Sequence, residues 1–135
     1  MLTSAGEMKA QVSVEFMILI FLLSLLFILY TQNSLSLQKE NIAIKVDQEA
    51  KKLSDKIAFE INTAVKSGSG YQRRFFIEDT FAGISDFDIS VQNYAVTVSW
   101  SQKSVSSQIT TKNITGSVSK GWNLIGNKAG IIYVS

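Results

Sequence analysis

The stretch Val12–Tyr30, VSVEFMILIFLLSLLFILY, decides how the chain is read. Only Ser13, Glu15 and Ser24 interrupt its apolar character. As a helix rising 1.5 Å per residue it spans about 28 Å, close to the hydrocarbon thickness of a bilayer. A helix apolar on every side must be covered on every side, by lipid or by other protein.

The helical signal continues past Tyr30. Neither Gly nor Pro occurs between Gln11 and Ser67. Ile42, Val46, Ala50, Leu53, Ile57, Ile61 and Ala64 follow at spacings of three and four, which puts them on one helical face. The pairs Asp47–Lys51, Lys51–Asp55 and Lys56–Glu60 stand at i, i+4 among them. Gly68 and Gly70 supply a stop. Thr31 to Ser36 is the weakest part, a candidate for a bend or local melting, because Thr, Asn and Ser compete with the helical backbone.

After Ser69 the period changes to two. Phe87, Ile89 and Val91 alternate with polar residues, as do Tyr94, Val96, Val98 and Trp100, with Gln92-Asn93 between the runs; this predicts a hairpin. Tyr71 to Ile77 and Val105 to Thr111 read as further strands. Trp122 to Ile125 and Ile131 to Val134, flanking Gly126 to Gly130, read as a second hairpin. The expected fold class is α+β: a long N-terminal helix, apolar then amphipathic, packed against a small antiparallel sheet. A sheet that small is marginal alone and gains its second layer from the stripe between Ile42 and Ala64. The expected division is 1–10 as leader, 11–30 as apolar helix, 31–67 as its amphipathic continuation and 68–135 as a β-rich head.

Composition narrows the function. The chain has 135 residues, 46% of them hydrophobic, and contains no Cys, His or Pro. Absent Cys removes disulfides, thiol nucleophiles and thiolate metal sites. Absent His removes the usual general base near neutral pH and the commonest metal ligand. The expectation is a non-enzyme without cofactor or metal. A net charge of +2 is too small to argue for nucleic acid. Arg73 and Arg74, the one basic pair in the head, read as part of a mixed-charge solvated surface with Glu78 and Asp79. Asp86 and Asp88 lack the spacing and number of carboxylates that a calcium loop needs, and read as solvated strand-edge residues. Tyr71, Phe75, Phe76, Tyr94, Trp100 and Trp122 are read mainly as core, since a small sheet needs large side chains to bury enough area. The other use for such a set is an adhesive or sugar-stacking face. Asn113-Ile114-Thr115 is an N-glycosylation sequon, with Asn113 the acceptor.

The segment Lys9-Ala10-Gln11-Val12-Ser13-Val14-Glu15-Phe16 bears most directly on function. An ordinary secretory signal is cut after its apolar region, and no small-x-small site follows this one. Cleavage before the apolar run would keep the helix on the mature protein. Glu15 is costly there, since a charge inside an apolar span costs roughly 2.5–3.5 kcal/mol when central and less near an end. Cleavage after Ala10 would place a new α-amino group on Gln11, one helical turn from Glu15. In a filament, the amine of one subunit can meet the carboxylate of its neighbour in a charge-assisted, poorly screened pair. The alternative is that Glu15 only snorkels to the cytoplasmic interface.

Lys9-Ala10 followed by Gln11-x-Ser13-x-Glu15 and an apolar helix resembles the class III signal peptide of archaeal type IV pilins. The resemblance covers the leader and the apolar helix and leaves the head unmatched. It implies that a membrane prepilin peptidase cuts between Ala10 and Gln11, recognising Lys9, Ala10, Gln11 and Ser13. It also implies that Glu15, at the fifth mature position, aligns subunits during assembly with the Gln11 amine. Met8-Lys9-Ala10 alone has the length of a short leader, so Met8 is an alternative start to Met1 with the same cleavage point. The implied partners are copies of the chain or other pilins, the peptidase, and the cytoplasmic membrane before assembly into a cell-surface filament. The competing reading is a single-pass, membrane-anchored extracellular binding protein that does not polymerise. Gln11-x-Ser13-x-Glu15 separates the two, because a plain anchor has no need of an acid one turn from a cleavage point.

Overall fold

The computed structural model describes the backbone from Ser4 and side chains from Ser13. One helix, α1 (Ser4–Ser67), precedes seven strands: β1 (Gln72–Ile77), β2 (Asp88–Gln92), β3 (Ala95–Trp100), β4 (Lys103–Gln108), β5 (Ile114–Gly116), β6 (Gly121–Lys128) and β7 (Ile131–Val134). The architecture is α+β, a long N-terminal helix and small sheets packed against it. The chain divides into two compact units, 1–42 and 43–135. The division falls inside α1 rather than at its end, because only the part of the helix beyond Ile42 has sheet to pack on.

Within the first unit the Thr31 to Ser36 stretch stays helical. The Thr31 hydroxyl donates to the Ile28 carbonyl at 2.9 Å and the Ser36 hydroxyl to the Asn33 carbonyl at 2.9 Å. These hydroxyls are satisfied within the helix, at most slightly weakening it, rather than drawing the backbone into another conformation.

In the second unit the head is two sheets, not the single antiparallel sheet expected. One has the order β1-β6-β7-β5 and the other β2-β3-β4. Every pairing is antiparallel except β5 with β7. The chain passes through β6 between β5 and β7, so β5 reaches the free edge of β7 running in its direction. Both sheets lean on the helical stripe. Ile57, Ala58, Ile61 and Ala64 share a core with Phe75, Ile77, Val96, Ile109, Val118, Ile125, Ile132 and Val134. Ala50 packs in a second cluster with Phe81, Phe87, Val98 and Trp100. There Phe81 meets Phe87 and Trp100 edge-on, at centroid distances of 4.9 and 5.5 Å. Ile42, placed on this stripe by spacing alone, is exposed, and burial begins at Val46.

Tertiary contacts also redirect two of the three expected intrahelical ion pairs. Lys51–Asp55 forms at 3.0 Å. Asp47 instead pairs with Lys103 at 3.3 Å, and Glu60 with Arg73 at 3.5 Å. Lys56 donates to the Phe76 carbonyl on edge strand β1, and Lys51 to the Ser106 carbonyl on edge strand β4. Helix lysines thereby occupy acceptors that an open sheet edge would offer to another chain.

One hairpin turn is shifted by a residue from its expected place and the other is tighter than its sequence suggests. The first turn is Asn93-Tyr94, with φ of 51° and 61°, rather than Gln92-Asn93. A two-residue hairpin turn of this kind needs positive φ at both positions, and Asn93 tolerates it well. The strands of the second hairpin extend to Lys128 and Ile131, so the expected five-residue loop shrinks to Ala129-Gly130. Asn127 explains the extension. Its buried side-chain amide donates to the Ala64 carbonyl in the last turn of α1, and its Oδ1 accepts from the Gly130 N–H. One side chain thus satisfies an orphan helix carbonyl and fixes the turn.

Candidate functional site: an uncovered apolar helix and an exposed sheet face

From Val14 to Tyr30, every large apolar side chain of α1 is 44–74% exposed. Seventeen positions at 3.6 residues per turn cover all directions about the axis, so the first unit presents apolar surface all round. The Ser24 hydroxyl donates to the Ile20 carbonyl at 2.8 Å, which lets a polar residue sit in an apolar span without an unmet bond. α1 is long and apolar enough to cross a membrane.

Ser13 and Glu15 lie at the N-terminal end of this surface, both exposed. Among the described residues Glu15 has no ion-pair or hydrogen-bond partner. Lys9, Ala10 and Gln11 belong to the backbone of α1, but their side chains lie outside the described residues. Helical geometry places positions 11 and 15 one turn apart on the same face.

The second unit separates the sequence candidates by face. Along β1, Phe75 and Ile77 point toward α1, while Gln72, Arg74 and Phe76 point away. The same alternation splits the basic pair: Arg73 reaches back to the buried Glu60 carboxylate, and Arg74 faces solvent. On β6, Trp122, Leu124, Gly126 and Lys128 take the outward positions, and on β7 Ile131 and Tyr133 do. Register aligns Phe76 with Trp122, Arg74 with Leu124, and Gln72 with Gly126. The Tyr133 ring lies over Gly126, where a Cβ would come within 2.3 Å of it, and its hydroxyl meets the Gln72 amide at 2.6 Å.

The aromatic residues therefore do not mainly fill the core. Phe75 and Trp100 are buried and Tyr71 is half-buried, but Phe76, Tyr94 and Trp122 are exposed, Trp122 by 70%. Phe81 and Phe87, both in the β1–β2 connection, take core places instead. That connection turns at Ala82-Gly83, which lets Phe81 and Ile84 pair as an isolated bridge. Phe87 alternates with Ile89 and Val91, but no alternating pattern marks Phe81, so its burial was not visible from spacing.

Asn113 is exposed just before β5; its N–H donates to Thr111 Oγ1 at 3.1 Å and its carbonyl accepts from the Ile132 N–H. Thr115 of the sequon is exposed as well. Asp86 and Asp88 are exposed, and among the described residues no three His, Cys, Asp or Glu side chains gather as a metal site would require.

Fold and site together define an α+β protein with one N-terminal helix capable of crossing a membrane. Comparison with protein-family models, curated proteins and solved structures returned no match.

Proposed function

We propose that this chain is a structural subunit of an archaeal type IV pilus-like surface filament. A prepilin-type peptidase removes residues 1–10, and the freed helix leaves the cytoplasmic membrane to pack against the helices of other subunits. The observation that carries the proposal is the apolar surface of Val14–Tyr30, exposed on all sides and headed by Lys9-Ala10-Gln11-x-Ser13-x-Glu15. Such a surface needs a cover, and lipid before assembly followed by neighbouring helices after it supplies one at each stage. Glu15 then pairs with the Gln11 amine of an adjacent subunit. The second unit is carried on the filament's outside, with no catalytic role.

Glu15→Gln tests this. Removing the charge lowers the insertion cost, so the precursor reaches the membrane at least as well. The same change leaves the Gln11 ammonium unpaired in an apolar interior, which is costly. The expected result is normal membrane level and leader cleavage with reduced sheared-filament yield, and an intermediate yield for Glu15→Asp. Normal yield from processed Glu15→Gln would reduce Glu15 to a snorkelling residue. Retention of the leader would sink the pilin reading and leave a plain membrane anchor, and cleavage after Tyr30 would sink it by releasing residues 31–135 without the apolar helix.

A further inference from the structure

The outward face of the β1-β6-β7-β5 sheet is built unlike the rest of the second unit. Trp122 and Phe76 stand on neighbouring strands with ring centroids 5.3 Å apart and planes at 59°, so they form a corner rather than a stack. Arg74, Trp122, Asn123, Leu124 and Ser135 line a shallow groove of about 320 Å³ against that corner. This volume lies at the lower end of what small-ligand sites offer. Neither aromatic ring supports the core, which is closed on the opposite face by Phe75, Ile77 and Ile125. Leaving an indole this exposed forgoes the burial such a side chain normally gains.

Charge narrows the ligand. The outward positions of β1, β6 and β7 carry Arg74 and Lys128 and no acidic side chain. Arg73 is paired with Glu60, but among the described residues Arg74 has no carboxylate within ion-pair distance. A ligand that suits the face has a flat apolar side to lie on indole, hydroxyls at its rim, and a carboxylate for a guanidinium fork. A pyranose ring bearing a carboxylate has all three: axial C–H groups on one side, equatorial hydroxyls, and the acid at its edge. An extended polymer of such rings could also reach Lys128, which lies four residues along β6 from Leu124, roughly 13 Å at strand rise.

We propose that this face binds a uronic-acid-containing polysaccharide, with a sugar ring stacked on Trp122 against Phe76 and its carboxylate held by Arg74. The site belongs to the second unit and does not require polymerisation, so it stands or falls separately from the filament reading.

The test uses the full chain in detergent micelles, titrated with polygalacturonate, with an uncharged glucan and with polyacrylate as a non-sugar polyanion. Trp122 emission reports directly, because the other indole, Trp100, is buried. Polygalacturonate is expected to perturb that emission and bind more tightly than either control. Trp122→Ala, followed by calorimetry, and Arg74→Ala should each weaken binding by roughly tenfold, while Trp122→Phe keeps part of it. Tyr94→Ala, which removes an exposed aromatic on the other sheet, should change nothing. Four results would overturn the proposal: no binding of polygalacturonate; affinity unchanged in Trp122→Ala; polyacrylate binding equally well, which makes the face a mere charge patch; or a Trp122 signal that follows protein concentration without any polymer, which makes it a contact between copies of this chain.

Discussion

Replacing Ile61 by Ala probes how far the sheets depend on the helix. Ile61 is fully buried, as is Ile57 one turn before it, and both sit in the core shared with Phe75, Ile77, Val96 and Ile125. An Ile-to-Ala change at such a site costs about 2–5 kcal/mol, part lost transfer energy and part cavity. A unit the size of 43–135 has a total stability of roughly 5–14 kcal/mol at typical values per residue. One substitution should therefore remove a large share of it. The assay is urea unfolding of the fragment 43–135, which holds all these contacts, followed by the fluorescence of buried Trp100. The midpoint should fall sharply with little change in slope. Phe59→Ala, at a helix position 63% exposed, should stay within about 0.5 kcal/mol of the parent. Deleting the helix altogether, as in 69–135, should leave no cooperative transition, because both sheets lose their cover. A cost below 1 kcal/mol for Ile61→Ala, or cooperative unfolding of 69–135, would refute the view that helix and sheets form one core.

Two further predictions concern backbone conformation and pH. Ala129 has φ of 53° in the β6–β7 turn, so Ala129→Gly should raise the urea midpoint by the equivalent of about 0.5–1 kcal/mol. Gly116 has φ of 96° and a Cβ there would come within 1.8 Å of the Val134 carbonyl oxygen, so Gly116→Ala should cost about 2 kcal/mol or more. The Ser107 hydroxyl, and after it Lys51, hold the Asp55 carboxyl below its ordinary pKa. Its contribution to stability is thus complete above the unfolded-state pKa and is lost as pH falls through the lower folded value. Asp55→Asn should be slightly less stable than the parent at pH 7, with the gap closing in acid; because the pair is about half exposed, added salt should shrink it too. An equal gap at pH 7 and pH 2 would show that packing, not charge, explains it.

Much of this fold was legible because its signals are periodic. The three-and-four spacing names Ala50, Ile57, Ile61 and Ala64, which are buried, and Val46 and Leu53, which are half-buried; the alternation names Val96, Val98 and Trp100, all buried. What could not be read were contacts made by residues that fit no period. Phe81 enters the core from an irregular connection, Asn127 ties strand to helix through an amide, and Asp47 and Glu60 leave their helical neighbours for Lys103 and Arg73. Trp122 is the opposite case. Its type suggested core, but its parity on β6 puts it on the outside, and parity became known only with the register. Of the candidate functional site, the apolar surface was evident from composition alone, whereas the pairing of Phe76, Trp122 and Arg74 required knowing that β1 lies beside β6.

The partnership of β1 with β6 has a consequence for how the chain finds its fold. Between these two strands lie β2, β3, β4 and β5, so the β1-β6-β7-β5 sheet cannot close until that whole intervening length has been gathered in. The β2-β3-β4 meander has no such obstacle: its two hairpins join neighbours through two-residue turns and pay little closure entropy. Once formed, the meander brings the distant ends nearer and shortens the effective loop that β1 and β6 must close. Local contacts form fastest and non-local pairings set the pace. The topology therefore predicts that the meander forms before the β1–β6 pairing closes, an order that site-by-site folding kinetics would check.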